Sequence, residues 1–272
     1  MAGMSVAQAL EAARRLGVTR LDAQLLLAHH LQQPRTWLLA HDDFEFDAPA
    51  LHADIARRAA GTPLAYLVGE REFHGLMLQV TPAVLVPRPD TELLVDWALE
   101  LLATLPQAVE VADLGTGSGA VALAIKHAWP HVRLTATDRS ADALAVASAN
   151  ARRLRLVVEF VAGDWWAPLR GRCFDLVVSN PPYIAAGDSH LEALVHEPMQ
   201  ALTPGGDGLA ALRDVVEGAP LHLRAGGWLL LEHGQDQALA VQSMLADAGF
   251  EAARTRSDLA ALPRVTGARW PG

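Results

Sequence analysis

Phe174-Asp175-Leu176-Val177-Val178-Ser179-Asn180-Pro181-Pro182-Tyr183 is a short apolar run that ends abruptly in a stiff polar and aromatic loop. Phe174, Leu176, Val177 and Val178 give the pattern of a strand covered on both faces. The two prolines stop it, because neither can donate to a ladder and each fixes φ near roughly −65°. Asn180 precedes a proline and is pushed into an extended backbone. The loop therefore presents one amide side chain, the carbonyls of Pro181 and Pro182, and the Tyr183 ring at the C-terminal end of a strand. That is where open α/β sheets hold ligands.

Working outward, strands and helices alternate from about residue 108. Strands are expected over 109–113, 133–137, 157–161, 174–179 and 228–232, with helices after the first two. Further helices fall near 209–217 and 237–248, and a final strand pair closes the chain. Such alternation predicts an α/β fold, a doubly wound and mostly parallel sheet. In the order 3-2-1-4-5 the first and fourth strands are neighbours, and the switch point lies between them.

The first of these strands runs into Asp113-Leu114-Gly115-Thr116-Gly117-Ser118-Gly119-Ala120. Glycines allow a sharp turn and a close backbone approach to a ligand, and the helix that follows offers its positive end. Asp138, ending the second strand, lies 19 residues after Gly119 and is placed to accept hydrogen bonds from a ribose diol. Gly115, Gly117 and Ala120 also satisfy the alanine-ended dinucleotide fingerprint, so a nicotinamide enzyme stays open from this loop alone. Two features point elsewhere. Asp113 would repel a pyrophosphate but attract an ammonium group, and the Asn-Pro-Pro-Tyr loop has no role in hydride transfer. A ligand with an adenosine end and a cationic amino-acid end fits both, which is S-adenosylmethionine. In Gly163-Asp164-Trp165-Trp166 an acidic side chain can accept from the adenine amino group while an indole covers the ring; two tryptophans capping the sheet edge would look the same.

The 272-residue chain carries a formal charge of −9 and a pI near 5.6, the opposite of the basic balance that nonspecific phosphate binding requires. Its single cysteine, Cys173, excludes an intrachain disulfide and reads as a small buried filler. The first ten residues lack a basic segment followed by an apolar run, and no stretch approaches the roughly 20 apolar residues of a membrane span. A soluble, cytoplasmic protein is expected.

Residues 1–61 read as a helical domain. Ser5 and Thr19 or Asp22 are N-cap candidates, a third helix is expected over 37–41, and a fourth over about 47–60. His29 and His30 are adjacent on a helix and do not converge on one point, so no metal is expected. Residues 62–86 read as a linking hairpin, with strands from Tyr66 onward joined at His74-Gly75. The prolines around Arg88 hold it extended, as an exposed charge or as a contact near the cleft. Asp90 or Thr91 can cap the helix that follows. The domain at 87–272 is expected to hold the site.

Several stretches are similar to the HemK/PrmC family: Arg71-Glu72-Phe73-His74-Gly75, Val86-Pro87-Arg88-Pro89-Asp90-Thr91-Glu92, Gly163-Asp164-Trp165, Glu197-Pro198, Gly205-Gly206-Asp207-Gly208-Leu209 and Leu231-Glu232-His233-Gly234. With the glycine loop and Asn-Pro-Pro-Tyr included, the resemblance runs from about residue 60 to the C-terminus. Asp90 stands where that family usually has Glu, and Thr203-Pro204 where an apolar residue is common. The resemblance implies a release-factor glutamine N5-methyltransferase with an N-terminal helical domain that docks on the substrate. It implies donor binding by Asp113, Gly115, Thr116, Gly117, Ser118, Gly119, Asp138, Asp164, Trp165 and Asn180. The target amide would fall to Asn180, Pro181, Pro182 and Tyr183, with Asn180, Pro181 and Tyr183 in the catalytic role. The alternative weighed against it is N6-adenine or N2-guanine methylation of nucleic acid, which can use the same Asn-Pro-Pro-Tyr logic.

Overall fold

Helix-capping chemistry organises the N-terminal unit. Ser5 Oγ accepts from Gln8 N at 3.2 Å while Gln8 Oε1 accepts from Ser5 N at 2.9 Å, a reciprocal capping box that opens the helix Val6–Arg15. Thr19 Oγ1 caps Arg20–Leu31 by accepting from Asp22 N at 3.2 Å, and Gln32 ends the helix in the left-handed conformation. The computed structural model describes residues 3–47, 49–105 and 108–272. The third helix is Arg35–Leu38, earlier than expected because Pro34 stands at its N-cap; the fourth is Pro49–Ala59, and Ala48 in its expected opening lies outside the described residues. Val6, Ala9, Ala13, Leu26, Leu27, Leu51 and Ile55 form the buried core of this unit.

The chain divides into Met1–Glu70 and Arg71–Gly272. That division falls inside the hairpin Glu70–Phe73 and Leu76–Gln79, within the stretch 62–86 read as a linker. Tyr66–Val68 is helical and not the start of a strand: Pro63 pre-sets the entry to the helix Leu64–Val68, and Gly69, at φ 78°, stops it. A short apolar run does not tell strand from helix by periodicity. His74 and Gly75 take φ of 48° and 78°, the two positive values of a type I′ turn.

The second unit is built on a sheet of seven strands: β1 (Glu110–Leu114), β2 (Arg133–Asp138), β3 (Glu159–Ala162), β4 (Phe174–Ser179), β5 (Leu223–Glu232), β6 (Glu251–Ser257) and β7 (Pro263–Arg269). Their order is β3-β2-β1-β4-β5-β7-β6, parallel except at β7, which pairs antiparallel with both neighbours. The expected 3-2-1-4-5 order is present, with the closing pair added at one edge. Helices α1 (Glu92–Leu102), α2 (Ala120–Ala128) and α3 (Ala141–Leu154) pack on one face with Val111, Leu176, Val178 and Leu230; α4 (Ala210–Gly218) and α5 (Ala238–Asp247) cover the other with Ala112, Leu114, Val177 and Leu229. Neighbouring strand residues alternate between two buried layers, each Leu or Val contributing about 1.5–3 kcal/mol. Cys173 is exposed, against the expectation of a buried filler: it precedes the first paired residue of β4, outside both apolar layers.

One buried polar side chain ties the hairpin to the glycine loop. Asn150 on α3 accepts from Gln79 N at 2.7 Å and donates to Gln79 O at 2.9 Å and Ser118 O at 3.0 Å. Asn150→Ala leaves these backbone groups without partners and is expected to cost about 2–3 kcal/mol in urea unfolding. A change under about 0.5 kcal/mol would show that the clasp carries little of the stability.

Candidate functional site

The register of β1 against β4 sets the site. Leu114 lies opposite Ser179, so the glycine loop and the Asn-Pro-Pro-Tyr loop leave the sheet side by side. Ser179 is buried, and its Oγ donates to Leu114 O at 2.7 Å, locking the two strand ends together. Beyond them Gly115 N and Thr116 N both donate to Thr137 O at 2.9 Å, folding the loop back over β2. Gly115 has φ 75°, and a Cβ there would stand 3.3 Å from the Trp165 ring, so glycine serves both the turn and the close contact.

Asp113 is buried beneath this loop. Thr116 Oγ1 donates to its Oδ2 at 2.6 Å, and the Ala122 N–H in the first turn of α2 donates to the same carboxyl. Burial outweighs both bonds and pushes the carboxyl up to about 7, with the charge of Asp138 adding to the rise. Asp138 is pinned by backbone: Oδ2 accepts from Gly117 N and Oδ1 from Ser140 N, each at 2.9 Å.

These residues line a cavity of about 330 Å³. Asp113, Gly115, Thr116, Gly117, Ser118, Asp138, Asp164, Trp165, Asn180 and Pro182 all border it. Gly119 sits behind the wall, where a Cβ would meet Leu123 at 3.1 Å and Ala147 at 3.2 Å, and serves the turn into α2 instead. Of the two tryptophans, Trp165 reaches the cavity. Trp166 is buried, stacked on His222, and donates from Nε1 to Val215 O at 3.1 Å. A second space of about 120 Å³ is bordered by Asn180, Pro181, Tyr183, Arg88 and Glu232, so Asn180 and Arg88 face both.

Several neighbours escaped the sequence reading or were left open by it. Arg88 pairs with the buried carboxylate of Glu197, whose Oε2 also accepts from Val86 N at 3.1 Å. Asp214, on α4, borders the larger cavity; burial and the nearby charge of Asp164 raise its carboxyl. Glu232 ends β5 fully buried and is pushed up to about 7, chiefly by burial. The Tyr183 hydroxyl donates to it at 3.3 Å, and burial holds the phenol far above its ordinary value. Gln237 Nε2 donates to Tyr183 O at 2.9 Å, and its Oε1 accepts from Gly234 N at 2.9 Å. Among the described residues no group of three or more His, Cys, Asp or Glu side chains could hold a metal, and His30 instead meets Asp54 at 2.9 Å.

A parallel switch-point sheet with a glycine loop facing an Asn-Pro-Pro-Tyr loop defines a methyltransferase. The methyltransferase small domain family matches residues 94–212, and the PrmC N-terminal domain family matches residues 4–69. A release factor glutamine methyltransferase of Xylella fastidiosa is 49% identical over 97% of this chain and 98% of its own length. One of Bordetella pertussis is 49% identical over 92% of this chain and 95% of its own. Among solved structures, the T. thermophilus 16S rRNA N2 G1207 methyltransferase in complex with AdoMet and guanosine shares the fold at a TM-score of 0.56, with 19% identity over 74% of this chain and 49% of that one. The chain belongs to the release factor glutamine methyltransferase family, as the motif resemblance implied.

Gly208 backs the Asn-Pro-Pro-Tyr loop. At φ 79°, a Cβ there would stand 2.4 Å from Tyr183 O, whereas at Gly205, φ 83°, nothing lies within 4 Å. Gly208→Ala and Gly205→Ala therefore share the backbone strain of about 1–2 kcal/mol, but only Gly208→Ala must move the Tyr183 carbonyl. Methyl-transfer turnover is expected to drop at least tenfold more for Gly208→Ala. Equal losses would detach Gly208 from the loop's placement.

Proposed function

We propose that this protein transfers a methyl group from S-adenosylmethionine to the side-chain amide nitrogen of the glutamine in the Gly-Gly-Gln motif of peptide chain release factors, in the cytoplasm. The observation that carries this reading is the pairing of an acceptor-lined corner, Asn180 to Tyr183, with a buried Asp113 one strand away that has no cationic partner among the described residues.

Asp113 fits the donor's cationic amino-acid end, since a carboxyl raised by burial regains its charge when a cation meets it. Asp138, fixed by two backbone N–H groups, keeps lone pairs for a ribose diol. Asp164 and Trp165 suit an adenine, the carboxylate accepting from the amino group and the indole covering the ring. Gly115, Thr116, Gly117 and Ser118 supply the close backbone wall. S-adenosylmethionine, when bound, supplies the methyl on a sulfonium. The helical unit at the N-terminus is assigned to docking on the release factor.

The acceptor side must overcome the weak nucleophilicity of an amide, whose nitrogen lone pair is delocalised into the carbonyl. Asn180 Oδ1 and Pro181 O can accept the two N–H bonds of the glutamine amide and hold its nitrogen toward the donor. Positive charge develops on that nitrogen during transfer, so both acceptors bind more tightly in the transition state than in the ground state. Tyr183 and Pro182 flank the planar group. Alignment supplies the rest, and the proton leaves to solvent once the methyl has moved.

Incubation with S-adenosylmethionine and a release factor, followed by mass mapping, is expected to place one methyl on the Gly-Gly-Gln glutamine. Labelled nucleic acid beside an unmodified release factor in the same assay would overturn the reading. Asn180→Ala is expected to lower kcat by roughly 10²-fold while leaving donor affinity nearly intact; an unchanged kcat removes Asn180 from catalysis. Asp113 meets a cation only when ionised and titrates at about 7 in the free protein. Donor affinity should therefore fall about tenfold per pH unit below that pH. Calorimetry with Asp113→Asn should lose the slope, and the same slope in that variant would assign it to another group.

A further inference from the structure

Methyl transfer moves a positive charge across the cleft, from the donor's sulfonium to the target nitrogen. Asn180 Oδ1 and Pro181 O can bind that nitrogen's two protons, but an amide oxygen is too weak a base to keep one. The third of three neighbouring strand ends brings a stronger base to the same place. β4 and β5 run parallel with Ser179 opposite Leu231, so Asn180 and Glu232 follow side by side, one residue further on. Glu232 is 2% exposed, and its two carboxylate oxygens are treated differently. Oε1 accepts from the Tyr183 hydroxyl at 3.3 Å, whereas Oε2 is buried with no hydrogen-bond partner among the described residues. A buried acceptor left unmade is costly, and a ligand that meets it relieves the cost. Glu232 borders the space of about 120 Å³ together with Asn180, Pro181 and Tyr183. The larger cavity matches the parts of the donor, which leaves this smaller one to the acceptor.

We infer that Glu232 is a further catalytic group: its unpartnered Oε2 meets the target nitrogen, balances the positive charge that develops there, and takes the proton that leaves. The bond from sulfur to the methyl carbon breaks as the bond from nitrogen to that carbon forms. Sulfur keeps the electron pair and becomes a neutral thioether, and nitrogen becomes cationic. A proton then passes from nitrogen to Glu232 Oε2, leaving a neutral N-methyl amide and a neutral carboxyl, which returns the proton to solvent as the product departs. The charged and titratable groups around Glu232 are Tyr183, Asp90 on the turn before α1, Arg264 on β7, and Arg88 on the rim of the same space. Arg88 pairs with Glu197, and Arg264 is shared between Asp258 at 2.9 Å and Asp90 at 3.4 Å. His233, next along β5, bonds to Thr266 Oγ1 and Gly234 O. Glu232 therefore has no ion-pair partner among the described residues, and burial sets its titration near 7, where a proton is both taken up and given back.

The inference rests on the proposed function, and its test separates the two. Glu232→Gln keeps the shape and an oxygen for the Tyr183 hydroxyl but removes the charge and the base; Glu232→Asp keeps a carboxylate, set back by one methylene. Methyl transfer to a release factor is measured across pH 6–9 with the donor saturating at every pH, which keeps the titration of Asp113 out of kcat. Donor affinity is read by calorimetry and folding by thermal unfolding. Glu232→Gln is expected to lower kcat roughly 10²-fold or more, with donor affinity within about twofold. Glu232→Asp should recover part of that loss. The unaltered enzyme should lose kcat as pH falls through the Glu232 titration, because only the ionised carboxylate can accept the proton, and Glu232→Gln should lack that limb. Should Glu232→Gln fail to fold, the profile of the unaltered enzyme decides: a kcat level across pH 6–9 overturns the inference. Wild-type kcat in a folded Glu232→Gln protein, or an acid limb that persists in it, also overturns the inference and leaves the proposed function standing. No methyl transfer by the unaltered enzyme overturns both.

Discussion

The contact on which the rest of this enzyme depends is the pairing of two strand ends, Leu114 opposite Ser179, with the serine hydroxyl bonded to the leucine carbonyl. Side chains alternate along a strand, so a slip of one residue would turn every apolar group to the wrong layer. Val111 and Leu176 face one layer, Ala112 and Val177 the other, and the two hydrophobic cores hold the register between them. The positions of Gly115 and Asn180 follow from that register. Packing on both faces of the sheet thereby fixes the distance between the two loops.

Three buried acids near that junction are handled in three ways. Glu197 is neutralised by the Arg88 guanidinium and a backbone N–H. Among the described residues Glu232 accepts from the Tyr183 hydroxyl and pairs with no cation, and Asp113 has a hydroxyl and a helix N–H but no cation. Keeping Asp113 ionised at neutral pH costs on the order of 4 kcal/mol relative to an exposed aspartate. A stretch of interior that withholds a countercharge is unstable on its own and becomes favourable when a positive ligand arrives. The same feature that weakens the free protein locally can strengthen the complex.

Much of this was legible in the chain. Alternating strands and helices gave the sheet order, the glycine loop and the proline-stiffened loop fell where a switch point puts them, and Ser5 and Thr19 cap their helices as their types suggest. The errors share a cause: local pattern does not carry long-range contact. Tyr66–Val68 is apolar enough for strand or helix, and Pro63 and Gly69 decide for helix. Cys173 looked like filler because its exposure depends on where β4 begins to pair. Thr91 looked like a helix cap, but its hydroxyl makes no cap bond and instead accepts from Asn180 Nδ2. Asp214 sits on α4 and Gln237 just before α5, and only the folded arrangement brings them to the cavity wall or to the Tyr183 carbonyl. The clustered motifs near Glu197, Gly205–Gly208 and Glu232–Gly234 marked segments that meet, without saying at which atoms.

The exposed thiol of Cys173 has a practical side. It precedes β4 at the end opposite the Asn-Pro-Pro-Tyr loop, and the six residues of that strand separate the two by roughly 20 Å. Because this is the chain's only cysteine, a maleimide dye or a surface tether would attach at one known point. Such a label would sit on the far rim of the sheet, leaving the mouth of the cleft clear for a large protein substrate to approach and be watched as it does so.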